Sequence, residues 1–346
     1  MRNRIDYGID LGTTNSAIAR IENGEAVIKK SEFQKDTTAS AIAFGRKGKK
    51  QLGDSASNQL KSDRLAALKH FEVIRNVFVE FKRTMGTDEA YVPDIAPETC
   101  MNSEQLSAEV LKKLKSYVSD ETVHAAVITI PAHFEVQQQQ ATQRAGELAG
   151  FKKCQLLQEP VAAAMAFVAD GKVQDGKFIV FDFGGGTFDC ALVVCEGGNM
   201  TVTDTEGDNF LGGKDLDYAI VDGIILPHLQ REFAIDTYLN DSEKKSVLRD
   251  AMKSYAEEIK IQLSFKPNHE IVSNLGEIPL EDENGEELEL DFSVAQEELR
   301  EVVVPIFQRA IDKALALLDR NGLKGGDLQD LVLVGGPTMS PIVREM

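Results

Sequence analysis

Long apolar segments and paired cysteines are both missing from this sequence of 346 residues. Its apolar runs, such as FIVFDFG, stay far below the roughly 18 residues that a membrane-spanning helix needs. The first ten residues, MRNRIDYGID, contain no apolar stretch of the kind that a signal peptide requires, so we expect neither a leader nor a membrane anchor. The cysteines Cys100, Cys154, Cys190 and Cys195 show no CxxC spacing, which favours free, buried thiols in a reducing cytoplasm.

Basic side chains are also scarce. Lysine and arginine together number 38, against 56 aspartates and glutamates, and the net charge is −18. An acidic surface repels phosphate backbones and anionic lipid, so neither nucleic acid nor a membrane is an expected partner. The same field opposes any nucleotide ligand, and a nucleotide site in this chain would therefore depend on local hydrogen-bond donors and a cation.

The chain repeats one pattern in its two halves. Residues 5–28 read IDYGIDLGTTNSAIARIENGEAVI, and residues 178–202 read FIVFDFGGGTFDCALVVCEGGNMTV. Each has an apolar strand, then aspartate, one apolar residue, glycine and small residues, then a second strand, a turn and a third strand. A chain of this length is too long for one simple core. The repeat predicts two similar lobes that face each other, residues 1–171 and 172–346, and the second includes a segment that returns to the first.

Helices and strands alternate between and after the repeats, which predicts an α/β protein. The period of the apolar residues and the positions of proline and glycine give the bounds of these elements. The expected elements are a helix over 103–118 with Ser103 as N-cap, a strand over 124–130, a helix over 135–149, a largely helical region over 214–265, a surface turn and strand over 281–291, a helix over 293–320 and a strand over 331–338.

The turn that runs from Asp10 to Asn15 is suited to binding phosphate. Gly12 lets the backbone approach a phosphate closely because it has no Cβ. The backbone amides and the hydroxyls of Thr13 and Thr14 can donate to phosphate oxygens. Asp10 would be repelled by a phosphate unless a cation, usually Mg²⁺ with its waters, lies between them. Taken alone, this segment is also compatible with an ordinary tight β-hairpin turn.

The second turn, DFGGGTFD at 182–189, favours the phosphate-binding interpretation. Three consecutive glycines cost about 0.5–1 kcal/mol each in backbone entropy, and close approach by a ligand would account for them. A strand follows them where the dinucleotide fingerprint needs a helix. The stretch GDNFLGGKD at 207–215 does not match the P-loop either, because Gly213 occupies the lysine position. Two copies of one such turn favour a phosphate clamp over a purely structural pair of turns.

Two further segments are compatible with a nucleotide cleft. In QEPVAAA (158–164), Pro160 suits the first turn of a helix and Glu159 lies at its positive end. This glutamate is either a simple cap or a carboxylate that orients water or Mg²⁺. Gly335 and Gly336 lie between a buried strand and a helix, where they either form an ordinary turn or let a flat purine or ribose lie against the backbone.

These motifs, in this order, resemble the heat shock protein 70 family along nearly the whole chain. The resemblance implies a duplicated actin-like, ribonuclease-H-like ATPase fold whose two lobes enclose ATP or ADP with Mg²⁺, and K⁺ is a further candidate ion. The matching segments are IDLGTTNS (9–16), TTAS (37–40), GDSASNQ (53–59), FKRTMG (81–86), ITIPAHF (128–134), QQATQRAGELAG (139–150), QEPVAAA (158–164), FDFGGGTFD (181–189), GDNFLGGKDLD (207–217) and LVGGPT (333–338).

The resemblance also implies roles for individual residues. Asp10 and Asp182 would hold the hydrated Mg²⁺, while Glu159 and Asp189 would support metal ions or water and, with Thr187, complete the catalytic group. The expected phosphate-binding residues are Gly12, Thr13, Thr14, Asn15, Gly184, Gly185, Gly186 and Thr187, together with Gly213. The expected ribose and adenine contacts are Glu257, Lys260, Ile261, Ser264, Gly335, Gly336 and Met339.

The sequence departs from the family pattern within this expected site. Ser57 occupies a position where we place the family lysine that touches the γ-phosphate, which predicts retained ATP binding and slow hydrolysis. Lys61, one helical turn further on, is the alternative source of that charge. Ile261 and Met339 lie where two arginines commonly sandwich the adenine, which predicts apolar walls around the base.

The expected function is the ATPase module of a DnaK-like chaperone. Its clients would be unfolded polypeptides, bound through a peptide-binding domain that this sequence lacks, and a J-protein and a nucleotide-exchange factor are expected partners. Gln139 and Gln155 replace arginines associated with J-protein and interdomain coupling. One alternative is a small-molecule kinase, in which Asp189 could serve as the base. The other is an actin-type binding or filament protein, which the net charge disfavours.

Overall fold

Two β-sheets, one in each half of the chain, organise the fold. The structure is a computed structural model that describes residues 5–169 and 175–346. The strands of the first half are β1 (Tyr7–Leu11), β2 (Asn15–Glu22), β3 (Glu25–Ile28), β4 (Thr38–Ala39), β5 (Ala41–Phe44), β6 (Lys50–Leu52), β7 (Val77–Val79), β8 (Ala90–Tyr91), β9 (Met101–Asn102), β10 (Ala125–Ile130) and β11 (Lys153–Gln158). Those of the second half are β12 (Gly176–Phe183), β13 (Phe188–Glu196), β14 (Asn199–Asp208), β15 (Asn268–Val272), β16 (Asp291–Ala295) and β17 (Asp330–Val334).

Helices connect these strands and cover the sheets. They are α1 (Asp54–Ala67), α2 (Ser103–Lys115), α3 (Val136–Leu148), α4 (Glu159–Ala169), α5 (Gly213–Ile220), α6 (Leu226–Glu232), α7 (Asp236–Leu239), α8 (Ser242–Gln262), α9 (Gln296–Arg320) and α10 (Pro341–Glu345). A π-helical turn, Val221–Ile225, joins α5 to α6, and short 3-10 turns include Phe81–Thr84 and Gly336–Met339. No helix in the described ranges combines the length and the apolar character that crossing a membrane requires.

The two main sheets share one arrangement, as the internal repeat predicted. In the first, the order is β11-β10-β1-β2-β3, and β4 also pairs with β2. In the second, the order is β14-β13-β12-β17. Each sheet contains an antiparallel three-stranded unit, β1-β2-β3 or β12-β13-β14, with a parallel strand beside its first strand. The prediction of an α/β fold with a duplicated unit is therefore confirmed.

The apolar strands of the second sheet are buried on both faces. Along β13, Cys190 and Leu192 join the main core under α5, α8 and α9, while Ala191 and Val193 join a smaller cluster that includes Ala164 of α4. A strand covered on both sides needs apolar residues on both sides, which explains its nearly continuous apolar run. The sheet is therefore held firmly behind the turn at 184–187.

A separate core fills the space between the first sheet and α2 and α3. Helix α1 joins the two halves, because Ala56 packs with Ala41 and Ala43 of the first half while Leu65, Ala67 and Leu68 at its end pack into the core of the second half. The predicted boundary between lobes, at residues 171 and 172, lies outside the described residues.

Four local predictions need correction. The cap of α2 is Asn102, whose side chain accepts from the backbone of Gln105 at 3.0 Å while the Gln105 side chain accepts in return at 2.9 Å. Helix α9 begins at residue 296, because residues 291–295 pair with β15. Strand β17 ends at residue 334, since Gly335 has φ +94° and leaves the extended conformation. Of the free cysteines, Cys100 is exposed, so burial does not hold for all four.

Candidate functional site

One cleft of about 700 Å³ runs between the repeated turns and the end of α8. This volume is typical of a pocket for a small molecule. The residues expected from the sequence that line it are Asp10, Gly12, Thr13, Thr14, Asn15, Glu159, Asp182, Gly184, Gly185, Thr187, Glu257, Lys260, Ile261, Ser264, Gly335, Gly336 and Met339. Lining residues that the sequence reasoning did not single out are Thr37, Lys82, Thr129, Ala162, Ala163, Phe265, Val334 and Pro337.

The two repeated turns approach each other closely at the floor of the cleft. A Cβ added to Gly185 would lie 2.0 Å from the Thr14 hydroxyl oxygen, and a Cβ at Gly12 would lie 2.1 Å from the Asn15 carbonyl oxygen. Such distances are far below van der Waals contact, so a side chain at Gly185 would force the two turns apart, and a side chain at Gly12 would distort its own turn. The glycines therefore have a steric cause within the protein itself, in addition to the approach of a phosphate that the sequence suggested.

The glycine turn is braced from behind by the start of α5. The amide of Gly213 donates to the Gly184 carbonyl at 2.9 Å, and the amide of Lys214 donates to the Gly185 carbonyl at 2.8 Å. Arg83 donates to the carbonyl of Gly186. Gly186 and Gly213 are not among the residues that line the cleft, and the phosphate-binding role expected for them stays a prediction.

Carboxylates from both halves meet in the cleft. Asp10, on β1, accepts a hydrogen bond from the Thr129 hydroxyl at 3.0 Å, and Glu159 is the first residue of α4. Burial raises the pKa of the Asp182 carboxyl well above its ordinary value, and repulsion from the neighbouring carboxylates adds to this effect. Burial also raises the pKa of Glu159, while the nearby Lys82 opposes that rise.

Lys82 is the cation of this carboxylate group. Its side chain is only 5% exposed, and its ammonium lies 2.7 Å from a carboxylate oxygen of Glu159. The ammonium also lies 5.7 Å from the centre of the Phe134 ring. Lys82 belongs to the 3-10 turn Phe81–Thr84 that follows β7, so the strand and turn bring it into the cleft from the first half of the chain.

The lysine expected near the γ-phosphate was sought at position 57 or at Lys61, and neither residue lines the cleft. Ser57 lies in the first turn of α1 and does not line the cleft. Lys61 lies further along the same helix, where it pairs with Glu277 at 3.1 Å and lies over the Tyr255 ring. Lys82 supplies the cleft with a lysine, and the expectation of slow hydrolysis loses its premise. Lys82 could have been found from the sequence, because it lies in FKRTMG, which is one of the segments that match the family.

Asp189 lies behind the cleft and contacts a histidine from the other half of the chain. Its Oδ1 is 2.5 Å from Nδ1 of His133, and the Nε2 of His133 is 2.8 Å from Oδ1 of Asn209. The contact with Asp189 raises the pKa of His133 to about 9. Sequence reasoning expected Asp189 in the site and missed His133, whose partners become neighbours only in the folded chain.

The far end of the cleft is formed by α8 and the turn after β17. Glu257, Lys260, Ile261 and Ser264 line it, as the spacing of three and four residues on one helix predicted. The ammonium of Lys260 pairs with Asp217 and lies 3.3 Å from the carbonyl of Gly213, so it serves the packing of α5 against α8.

The remaining wall at this end is apolar. Ile261 and Met339 are exposed and face the cleft together with Phe265. Phe265 was missed because a phenylalanine at the end of an amphipathic helix is usually a core residue. Its position, four residues after Ile261, was the signal available in the sequence.

The carboxylates are suited to a hydrated magnesium ion. Asp10, Glu159 and Asp182 offer oxygen ligands, which Mg²⁺ prefers. The pKa of Asp182 is raised first by burial and then by repulsion from neighbouring carboxylates, and a cation would relieve that repulsion. Within residues 5–169 and 175–346, no three acidic, histidine or cysteine side chains are placed to hold a metal ion together. Mg²⁺ commonly keeps several waters and takes one or two carboxylates, so Asp10 and Asp182 are sufficient for such an ion.

Comparison with known proteins identifies relatives of the whole chain. The family model described as Hsp70 protein matches residues 6–346. The chaperone protein DnaK of Mesomycoplasma hyopneumoniae (strain J) is 34% identical over 349 residues, and that of Mycoplasmopsis pulmonis (strain UAB CTIP) is 32% identical over 349 residues. Each match covers 100% of this chain and 54% of the relative. The chain thus spans about half the length of the curated relatives it matches.

Proposed function

This chain belongs to the Hsp70 family, and from that premise we propose that it is the ATP-binding and ATP-hydrolysing part of a DnaK-type chaperone. One observation carries the proposal. Two copies of the same turn, at 10–15 and 182–189, come from different sheets and line one cleft that also contains the carboxylates and Lys82. Neither copy needs to face the other for the stability of its own hairpin, whereas a clamp on a polyphosphate requires both.

The phosphates would be held by the two turns. The amides of Thr13, Thr14 and Gly185 and the hydroxyl of Thr187 are the donors available there. Mg²⁺, when bound by Asp10 and Asp182 through its waters, would neutralise part of the phosphate charge. A net charge of −18 makes such local compensation necessary.

Hydrolysis would be an in-line attack of water on the γ-phosphate, with catalysis supplied mainly by positioning and electrostatics. The ammonium of Lys82 would stabilise the negative charge that develops on the transferring phosphoryl group. Glu159, which holds that ammonium at 2.7 Å, would accept a hydrogen bond from the attacking water and orient it. Asp189 would support this arrangement from behind the turn.

The adenosine part would lie at the end of the cleft formed by α8 and the turn after β17. Glu257 would accept from the ribose hydroxyls, and the base would enter between Ile261 and Met339. Gly335 and Gly336 would let the ring approach the backbone. The two alternatives, a small-molecule kinase and an actin-type protein, are not favoured, because the family model and the relatives point to Hsp70.

In the complete protein, we propose that the nucleotide state sets the angle between two lobes and thereby controls a peptide-binding domain. The lobes would be residues 1–171 and 172–346. Unfolded polypeptides would be the clients, a J-protein and a nucleotide-exchange factor the partners, and the cytoplasm the location. K⁺ is a further candidate ion beside Mg²⁺.

The proposal is tested by measuring ADP affinity by calorimetry and phosphate release from ATP, each with Mg²⁺ and with a chelator. Asp182→Asn should weaken Mg²⁺-dependent binding or abolish turnover and leave the fold intact, because the neutral amide removes only a buried charge. Asp88→Asn, the same change at an exposed position, should behave like the parent. A parent chain that binds neither ATP nor ADP would refute the proposed function.

A further inference from the structure

We infer that Phe265 is a base-stacking residue: with Ile261 and Met339, it forms an apolar surface on which the flat face of a purine base packs. This inference rests on the proposed nucleotide site and specifies how that site holds the base. Ile261 and Met339 were the only apolar side chains that the sequence placed at this end of the cleft, and it placed no aromatic residue there.

Exposure of these side chains indicates an apolar ligand. The exposed fractions are 68% for Phe265, 48% for Ile261 and 47% for Met339, and all three line the same cleft. Single exposed apolar residues are common on protein surfaces. Three at one end of a concave site, continuous with a polar phosphate clamp, indicate a ligand that is apolar and flat at one end and highly charged at the other. A purine nucleotide has this chemistry.

The backbone fixes the aromatic ring on the cleft side. Phe265 follows the last turn of α8, and its amide donates to the Gln262 carbonyl at 3.0 Å, as does the amide of Lys266. The chain thus continues a helical turn to this point, and Phe265 lies on the same face as Ile261, four residues earlier. A ring on a fixed backbone loses little conformational entropy when a base packs on it.

The opposite side of this end of the cleft is open to a flat ring. Met339 ends the 3-10 turn Gly336–Met339. A Cβ built at Gly336 would meet nothing within 4 Å, which leaves free space in front of its backbone. The thioether of Met339 is soft and polarisable and packs well on aromatic systems. The base would therefore contact apolar groups from two separate elements.

Lys260 and Ser264, the cationic and hydroxyl side chains at this end, are engaged with the protein itself. The Lys260 ammonium pairs with Asp217, so it cannot also stack on the base. The Ser264 hydroxyl donates to the Lys260 carbonyl at 3.0 Å. Recognition of the base would thus depend mainly on packing against its flat faces. It follows that Phe265 contributes to the binding of adenine and guanine nucleotides alike and does not contribute to the binding of the phosphates.

The test compares Phe265→Ala with its parent for three ligands: ADP, GDP and inorganic tripolyphosphate, each with Mg²⁺. Loss of a base-stacking aromatic should weaken ADP and GDP binding about 5- to 30-fold, with tripolyphosphate binding unchanged. In ATP hydrolysis, KM should rise by a similar factor and kcat should stay within about twofold. Phe265→Tyr keeps the ring and should restore ADP affinity. Phe33→Ala, which removes a ring that is 51% exposed outside the cleft, is the matched control.

Each outcome decides the matter. Unchanged ADP affinity in Phe265→Ala would overturn the inference. A loss of affinity for ADP but not for GDP would also overturn it, since that would indicate recognition through contacts with the edge of the adenine. Equal weakening of ADP and tripolyphosphate would show that Phe265 supports the fold of the site, which also overturns it. A parent chain that binds tripolyphosphate but no nucleotide would instead refute the proposed function.

Discussion

The contact between His133 and Asp189 predicts a specific dependence of stability on pH. The imidazole belongs to the segment after β10 in the first half of the chain, and the carboxylate to β13 in the second. Their atoms Nδ1 and Oδ1 are 2.5 Å apart, and the other ring nitrogen faces the Asn209 amide oxygen at 2.8 Å. Both ring nitrogens thus lie beside oxygen acceptors, which favours the doubly protonated imidazolium.

The sign and size of the effect follow from the pKa. The hydrogen bond and charge of Asp189 raise the pKa of His133 from 6.5 to about 9. The folded state therefore holds a proton that the unfolded state releases above about pH 6.5. The stabilisation is complete below pH 6.5 and is lost as the pH rises through about 9. A difference of about 2.5 pH units, at about 1.4 kcal/mol each, is about 3.5 kcal/mol. Since 28% of the side chain is exposed, solvent screening reduces this, and we expect about 1–2 kcal/mol.

The perturbation is His133→Asn, which keeps a polar side chain but removes the charge. The free energy of unfolding should be measured by denaturant titration for parent and variant between pH 6 and pH 10, without nucleotide and with a chelator. The parent should be more stable than the variant at pH 6, and this difference should shrink by about 1–2 kcal/mol towards pH 10. Taking the difference removes the contribution of every other titrating group.

His228 provides a matched control with the opposite sign. Its ring stacks on Phe292 at 4.0 Å, and burial lowers its pKa. Any stabilisation from this residue is present above about pH 6.5 and is lost as the pH falls, so the difference between parent and His228→Asn should not shrink towards pH 10. A difference between parent and His133→Asn that stays constant, or grows, from pH 6 to pH 10 would refute the ion pair.

Three further predictions concern the cleft. Lys82→Met should lower ATP turnover by about 10³-fold or more, with a smaller loss of ADP affinity. It should also lower the free energy of unfolding by about 3–5 kcal/mol, because Glu159 is left buried without its partner. Lys61→Met, outside the cleft, should leave turnover unchanged in the same phosphate-release assay, and an equal loss in both variants would contradict the assignment. Gly185→Val should abolish nucleotide binding in calorimetry, because its Cβ would lie 2.0 Å from the Thr14 hydroxyl oxygen, whereas retained affinity would show that the two turns separate freely. Met339→Asp should weaken ATP and ADP equally, since both carry the base, and unchanged affinity for both would place Met339 outside the pocket.

Local chemistry made much of the site predictable from the sequence. The turns at 10–15 and 182–189 are short segments whose glycines, hydroxyls and aspartates lie within a few residues of one another. Their function depends on the conformation of the turn, which those same residues determine. The repetition of the unit also predicted the two sheets, because a second copy of a strand-turn-strand pattern folds for the same reasons as the first.

The residues assigned wrongly or missed all depend on contacts between segments that are distant in the sequence. From the sequence alone, Lys61, just after GDSASNQ, and Lys82, in FKRTMG, are equally able to reach a phosphate. Only the packing of β7 and α1 decides that Lys82 enters the cleft and that Ser57 does not. The support of the glycine turn by the start of α5 has the same origin, because the amides of Gly213 and Lys214 reach the turn only through tertiary packing.

The sequence alone therefore determined the repeated fold and the two turns that meet in the cleft, since these follow from residue spacing over one or two strands. The tertiary structure decided which lysine pairs with Glu159, that the Phe265 ring lines the far end of the cleft, and that His133 contacts Asp189. These pairings depend on distances across the cleft between independently folded segments. No local pattern encodes such distances, because they are set by how the two sheets and their helices pack.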